Sequence, residues 1–210
     1  MKGTICKLFL CVLLGSLSGL AQADEKMIKL ERSEFVPAPG KALVIFMRSS
    51  IVAGAYSAPV IDADVKTTVN GESKTEDKLV GILSMYSNVP YQADPGEHVF
   101  ISAAGSGRIA KATLLEGKTY YILVRPNWGM SPSYSLRPLH ADPKAEVRLN
   151  HEDLPKWLTS DFKEPTAEGH AWAKENAASI TEKKIAVLQL WETLPEDEKA
   201  ALTLLPTDTK

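Results

Sequence analysis

The chain has 210 residues, with 24 Lys and Arg against 26 Asp and Glu, four histidines and two cysteines. It carries no basic run longer than a dipeptide, which argues against nucleic acid and against a polybasic membrane contact. Both cysteines, Cys6 and Cys11, lie in the first 23 residues, so the rest of the chain has no disulfide, thiolate metal site or cysteine nucleophile.

Residues 1–23 read as a secretory signal peptide. Lys2 and Lys7 give a positive start, Leu8 to Leu14 is too short to stay in a bilayer, and Ala21-Gln22-Ala23 is a small-x-small cleavage site. The expectation is a periplasmic protein cleaved after Ala23, with no stable membrane insertion afterwards. Without Lys2 and Lys7, 22 basic residues face 26 acidic ones, a net of −4. Residues 24–40 form a charged leader and a linker that ends in Pro37-Ala38-Pro39-Gly40.

A β domain is expected over 41–149. Ala42 to Met47 is apolar at every position, so it reads as a strand covered on both faces. Val60 to Val65 is the next strand, and Asn70-Gly71 is a hairpin signal because both residues accept positive φ. The charged stretch Ser73 to Lys78 reads as surface loop before the strand Leu79 to Leu83. Tyr86 to Ala93 contains Pro90, which predicts an edge or irregular strand.

Residues 94–125 organise the domain. Three apolar runs, His98 to Ala103, Arg108 to Leu115 and Thr119 to Val124, are separated by the turns Gly105-Ser106-Gly107 and Glu116-Gly117-Lys118. That spacing predicts a β-meander. Both faces of the third run are apolar, so a cover over the second face is expected, and the tail is the candidate. Ser133 to Leu139 is the last strand, and Ala145 to Leu149 a possible continuation of it.

From residue 150 the hydrophobic period changes to that of helices. Leu154, Trp157 and Leu158 share one face, Pro165-Thr166 opens a second helix, and Ser179 to Glu182 has capping-box form. Ala173, Ala177, Ile180, Val187, Trp191 and Leu194 form a stripe interrupted by Lys184. Residues 150–210 are therefore expected to be a helical extension packed on the β domain, with Trp157, Trp172 and Trp191 as its anchors.

With the strands placed, about residues 37–140 resemble a bacterial secreted family catalogued as domain of unknown function 2846. The resemblance rests on Pro39-Gly40-Lys41-Ala42-Leu43-Val44, Gly54, Val80-Gly81-Ile82-Leu83, Pro95-Gly96-Glu97-His98, Gly117-Lys118-Thr119-Tyr120-Tyr121 and Tyr134 to Leu136. It implies a transthyretin-like or carboxypeptidase-regulatory-like fold and no activity. The fold expectation is a mainly β, antiparallel β-sandwich with a C-terminal helical extension.

Candidate chemistry is sparse. No serine sits in a Gly-x-Ser-x-Gly elbow, and His98, on a strand, reads as structural. His140 with Asp142, and His151 with Glu152-Asp153, lack the spacing of a metal-binding helix face, so no metal and no cofactor are expected. The loop Pro126 to Pro132 holds Trp128 beside Arg125 and near Tyr134. An aromatic with a guanidinium can hold a sugar or peptide, though a lone tryptophan is more often a plug at the open end of a sandwich. The reading is a non-enzymatic binding or interaction module with a protein or glycan partner. A peptidoglycan- or carbohydrate-binding domain and an envelope hydrolase are the alternatives.

Overall fold

The structure, a computed structural model, describes residues 25–31, 34–50, 56–69, 72–127 and 133–210. The expected signal peptide, the Asn70-Gly71 turn and Trp128 lie outside these residues. Strands take up 44% of the described residues and helices 22%, so the protein is mainly β, as its turn spacing predicts.

In chain order the strands are β1 (Met27–Lys29), β2 (Ala42–Arg48), β3 (Ala58–Val69), β4 (Glu72–Leu83), β5 (Ser87–Ala93), β6 (Gly96–Ser102), β7 (Arg108–Leu114), β8 (Thr119–Asn127), β9 (Ser133–Pro138), β10 (Asp161–Pro165) and β11 (Thr203–Leu204). The helices are α1 (Leu154–Trp157), α2 (Ala167–Glu175), α3 (Ala177–Thr193) and α4 (Glu196–Ala201). One sheet has the order β1-β10-β5-β2-β8-β9, the other β11-β7-β6-β3-β4. Both are mixed, which corrects the expectation of a purely antiparallel fold. β2 pairs β8 in parallel, β10 pairs β5 in parallel, and β11 pairs β7 in parallel. The reason lies in the connections: these partners are joined by long excursions rather than by hairpins.

The meander is also corrected. β6 and β7 form an antiparallel hairpin, but after Gly117 (φ +72°) the chain leaves their sheet and β8 joins the other one beside β2. The charged run expected as loop, Ser73 to Lys78, is strand instead, paired with β3 in a long ribbon whose register shifts between Asp62 and Val65. Pro90 fits its place. β10 pairs β5 only at Ser87 and Asn88, so at Pro90 the strand has a partner on one side alone, Ile45 of β2. A residue with no N–H is tolerated where no donor is needed.

Two apolar clusters hold the body together. The larger joins the sheets: Val44, Phe46, Tyr120 and Ile122 from one meet Val60, Phe100, Ala110 and Ala112 from the other. Phe46 meets Phe100 edge to face, ring centres 5.1 Å apart. The second lies on the outer face of β2 and β8, where Leu43, Ile45, Met47, Tyr121 and Leu123 are covered by Leu139, Val147, Leu154 and Phe162. β2 is accordingly buried at every position.

A cover from the tail over the second face of β8 was expected, and the start of the tail does contribute Leu154, Trp157, Leu158 and Phe162 to it, but the long helix that carries Trp191 does not. Residues 139–162 supply the cover. α3 packs on the opposite sheet, sending Ile180, Val187 and Trp191 into the larger cluster, with Lys111 of β7 over the Trp191 ring at 4.6 Å. Lys184, which breaks the apolar stripe, bonds Asp64 and Asp77 at 2.9 Å each and so ties α3 to the β3–β4 ribbon.

The leader and the tail contribute strands as well. β1 pairs β10, and a Cβ at Gly169 of α2 would collide with the carbonyl of Lys26, so only glycine lets the leader lie that close. At the far end, His140 Nδ1 meets Asp208 Oδ2 at 2.9 Å, and the Asp208 carboxylate accepts the Ala141 and Leu205 amides. Among the described residues no helix is long and apolar enough to cross a membrane.

Candidate ligand cleft

The cleft follows from the twofold alternation of β8. Tyr121, Leu123 and Arg125 point to the same outer face. The cover made by residues 139–162 shields the first two. At Arg125 the cover opens, the side chain becomes exposed, and a cleft of about 390 Å³ forms. Its walls come from Ser49 and Ser50 after β2, Arg125 and Pro126 of β8, Glu146 in the connection, and His151, Asp153 and Trp157 around α1.

Arg125 Nη1 lies 3.3 Å from Glu146 Oε1, an ion pair at the mouth with both side chains more than half exposed. The Trp157 ring lies under the His151 ring at 4.6 Å, tilted by 33°. Asn88 Nδ2 donates to the Trp157 and Ser160 carbonyls at 3.1 and 3.3 Å, which fixes this turn against β5. His151 Nδ1 accepts the Asp153 amide hydrogen at 3.1 Å, so a neutral ring carries its hydrogen on Nε2. The cleft thus combines an aromatic ring, two carboxylates, a guanidinium and an imidazole.

Of the residues singled out in the sequence, Arg125 is on the cleft and Tyr134 is not. In the register of β8 with β9, Tyr134 stands opposite Pro126 and Ser135 opposite Arg125. Tyr134 therefore faces the interior between the sheets. It is fully buried, donates its hydroxyl to the Tyr56 carbonyl at 2.9 Å, and lies under the Arg48 guanidinium at 4.6 Å. Arg48 in turn donates to the Tyr56 and Leu83 carbonyls at 2.7 and 2.9 Å, and burial pulls its pKa below the ordinary arginine value. The two predicted partners sit on opposite faces of one sheet. Trp128 lies outside the described residues.

Sequence reasoning missed Glu146, Asp153 and Trp157 as cleft residues, since Trp157 read as a core anchor and no local pattern joins these positions to Arg125. It also missed a second cluster, in the interior. His98 is buried and bonded to Asp62, as a structural histidine should be, but Asp62 itself is fully buried and also accepts the Tyr91 hydroxyl at 2.8 Å. The available signal was a carboxylate inside the apolar run Val60 to Val65. His140 pairs with Asp208 and not with Asp142, whose carboxylate caps the Lys144 amide. Among the described residues no three His, Cys, Asp or Glu side chains gather to hold a metal ion.

No family model, curated protein or solved structure matches the chain.

Proposed function

We propose that the protein is a non-enzymatic binding module of the bacterial envelope, and that its ligand occupies the cleft between β8 and α1. The two sheets and their shared core are read as a β-sandwich of the type implied by the resemblance to domain of unknown function 2846, with the leader and tail wrapped around it. The envelope location rests on the signal peptide read over residues 1–23.

The observation that carries the reading is the meeting of Trp157 with Arg125, Glu146, His151 and Asp153 around one cavity of about 390 Å³. A concave site in which groups of both charges converge on an aromatic ring is the arrangement from which small-ligand sites are built. A saccharide is the ligand class that suits this set best. Carboxylates accept from hydroxyl groups, the Nε2–H of His151 and the guanidinium donate, and an indole covers an apolar sugar face. A hydrolase is supported less well. His151 spends Nδ1 on the Asp153 amide, so no carboxylate orients that ring as a general base in the manner of a triad.

The experiment is a titration of soluble peptidoglycan fragments and of neutral oligosaccharides into the labelled protein, followed by amide shifts. Perturbations centred on residues 123–126 and 146–157, lost in Asp153→Asn, are expected. Shifts confined to other surfaces, or none with either ligand set, would remove the cleft as a glycan site.

A further inference from the structure

We propose that His98 is a buried imidazolium that latches the two sheets together with a single proton, so that the fold loosens as pH rises. The latch is made of three side chains from three strands. His98 Nδ1, on β6, lies 2.8 Å from Asp62 Oδ2 and 3.1 Å from Oδ1, on β3. Its Nε2 lies 2.7 Å from the Asp94 carbonyl in the β5–β6 turn. Tyr91, from β5 of the other sheet, donates its hydroxyl to Asp62 Oδ2 at 2.8 Å.

A carbonyl oxygen only accepts, so Nε2 carries a hydrogen. Nδ1 faces a carboxylate that is already accepting the tyrosine hydroxyl, so a bare Nδ1 there would set lone pair against lone pair. Both ring nitrogens are satisfied when both are protonated. The resulting cation and the Asp62 carboxylate neutralise each other in a place that little water reaches, with His98 7% and Asp62 0% exposed. Phe100 lies parallel to the imidazole, ring centres 5.6 Å apart.

The charged and titratable groups around the ring agree with this. Asp62 faces it from β3, and Tyr91 reaches Asp62 from β5. The Asp94 carboxylate lies beyond the turn, paired with Lys41 at 2.6 Å. Glu76 and Lys78 of β4 act from further away, on Tyr91 and Asp94. Burial works to lower the His98 pKa, but the hydrogen bond and charge of Asp62, joined by the Asp94 carbonyl and carboxylate, outweigh it and raise the value above the ordinary 6.5. Burial and the neighbouring Asp62 also push the Tyr91 pKa up, which keeps its hydroxyl a donor.

The sign follows. A histidine pKa raised on folding contributes stability that is fully present below the unfolded value. That stability is lost as pH climbs through the folded one. Each unit of difference changes the folding equilibrium about tenfold across that window. Release would loosen the corner where β5 of one sheet meets β3 and β6 of the other.

The test is ring ¹⁵N spectroscopy of the full chain, with His98→Gln used to assign the signal among the four histidines. Two protonated nitrogens at pH 7 are expected, with a titration midpoint above that of the same ring in the urea-unfolded chain. The urea midpoint of the wild type should fall from pH 6.5 towards pH 9. A His98 ring with one protonated nitrogen at pH 7, or a urea midpoint flat over that range, would overturn the proposal. Neither reading depends on a variant that folds, since a signal missing because His98→Gln fails to fold can be assigned instead through its contacts to Phe100.

Discussion

The molecule contains two clusters built from nearly the same residue types, and burial makes them different things. In the interior, Tyr91, Asp62 and His98 bond only to one another and to backbone, and Asp62 is fully buried. At the cleft, Trp157, Asp153, His151, Glu146 and Arg125 face open space, and Glu146 keeps 72% of its side chain exposed. A buried carboxylate has to be saturated by its neighbours, so it has nothing left to offer a ligand. An exposed one is saturated by water, which a ligand can displace. Between these extremes stands Lys184, 15% exposed, bridging Asp64 and Asp77 on the ribbon.

The comparison breaks first at Asp62. Replacing it by Ala strips the imidazolium of its counter-charge and Tyr91 of its acceptor. A loss of about 3–5 kcal/mol is expected, because removing one partner of a buried pair leaves the other uncompensated. Urea unfolding followed by fluorescence measures it, with an unchanged slope showing that the loss is one of stability. A loss below about 1 kcal/mol would mean that the cluster is wetter than its geometry. Tyr91→Phe is the gentler form: it keeps the ion pair and deletes one hydrogen bond to a charged group. The expected cost is about 1.5–3 kcal/mol, and the wild-type pH dependence should survive it.

How far the sequence reveals each cluster differs for the same reason. Alternation and turn residues report local environment, so β2, β3, β6 and β7 were legible, as was the burial of both β2 faces. Which strand pairs with which is not local. Glu116-Gly117-Lys118 reads as a hairpin turn, and only the packing of Tyr120 and Ile122 against the opposite sheet shows that the chain changes sheets there. The tail illustrates the same limit. Its apolar stripe was visible, but not the sheet that it covers, and Lys184 looked like an interruption because Asp64 and Asp77 lie over a hundred positions away in the chain. The cleft was least legible of all. Its residues come from four separate stretches; in the sequence only Arg125 reads as a contact for an organic ligand, while His151 and Asp153 are weighed only as metal ligands.

Lys184→Met tests the middle of the burial scale. It keeps the stem that packs along α3 and removes the charge from between two aspartates. A partly exposed ion pair contributes about 0.2–1 kcal/mol, so a small loss of stability is expected, and it should shrink in high salt as screening replaces the lysine. A loss as large as that of Asp62→Ala would place the bridge in the interior class.

Glu146→Gln is the smallest change in stability and the sharpest contrast. The side chain is mostly exposed and its partner Arg125 is half exposed, so the unfolding midpoint should stay within about 0.5 kcal/mol of wild type. Its amide keeps one acceptor and loses the charge, which frees the Arg125 guanidinium to reorient across the mouth of the cleft. If the cleft binds a hydroxyl-rich ligand, affinity falls while stability does not. If stability falls and binding is untouched, Glu146 belongs with Asp62 as a structural carboxylate, and the distinction between the two clusters fails at the residue where burial separates them most.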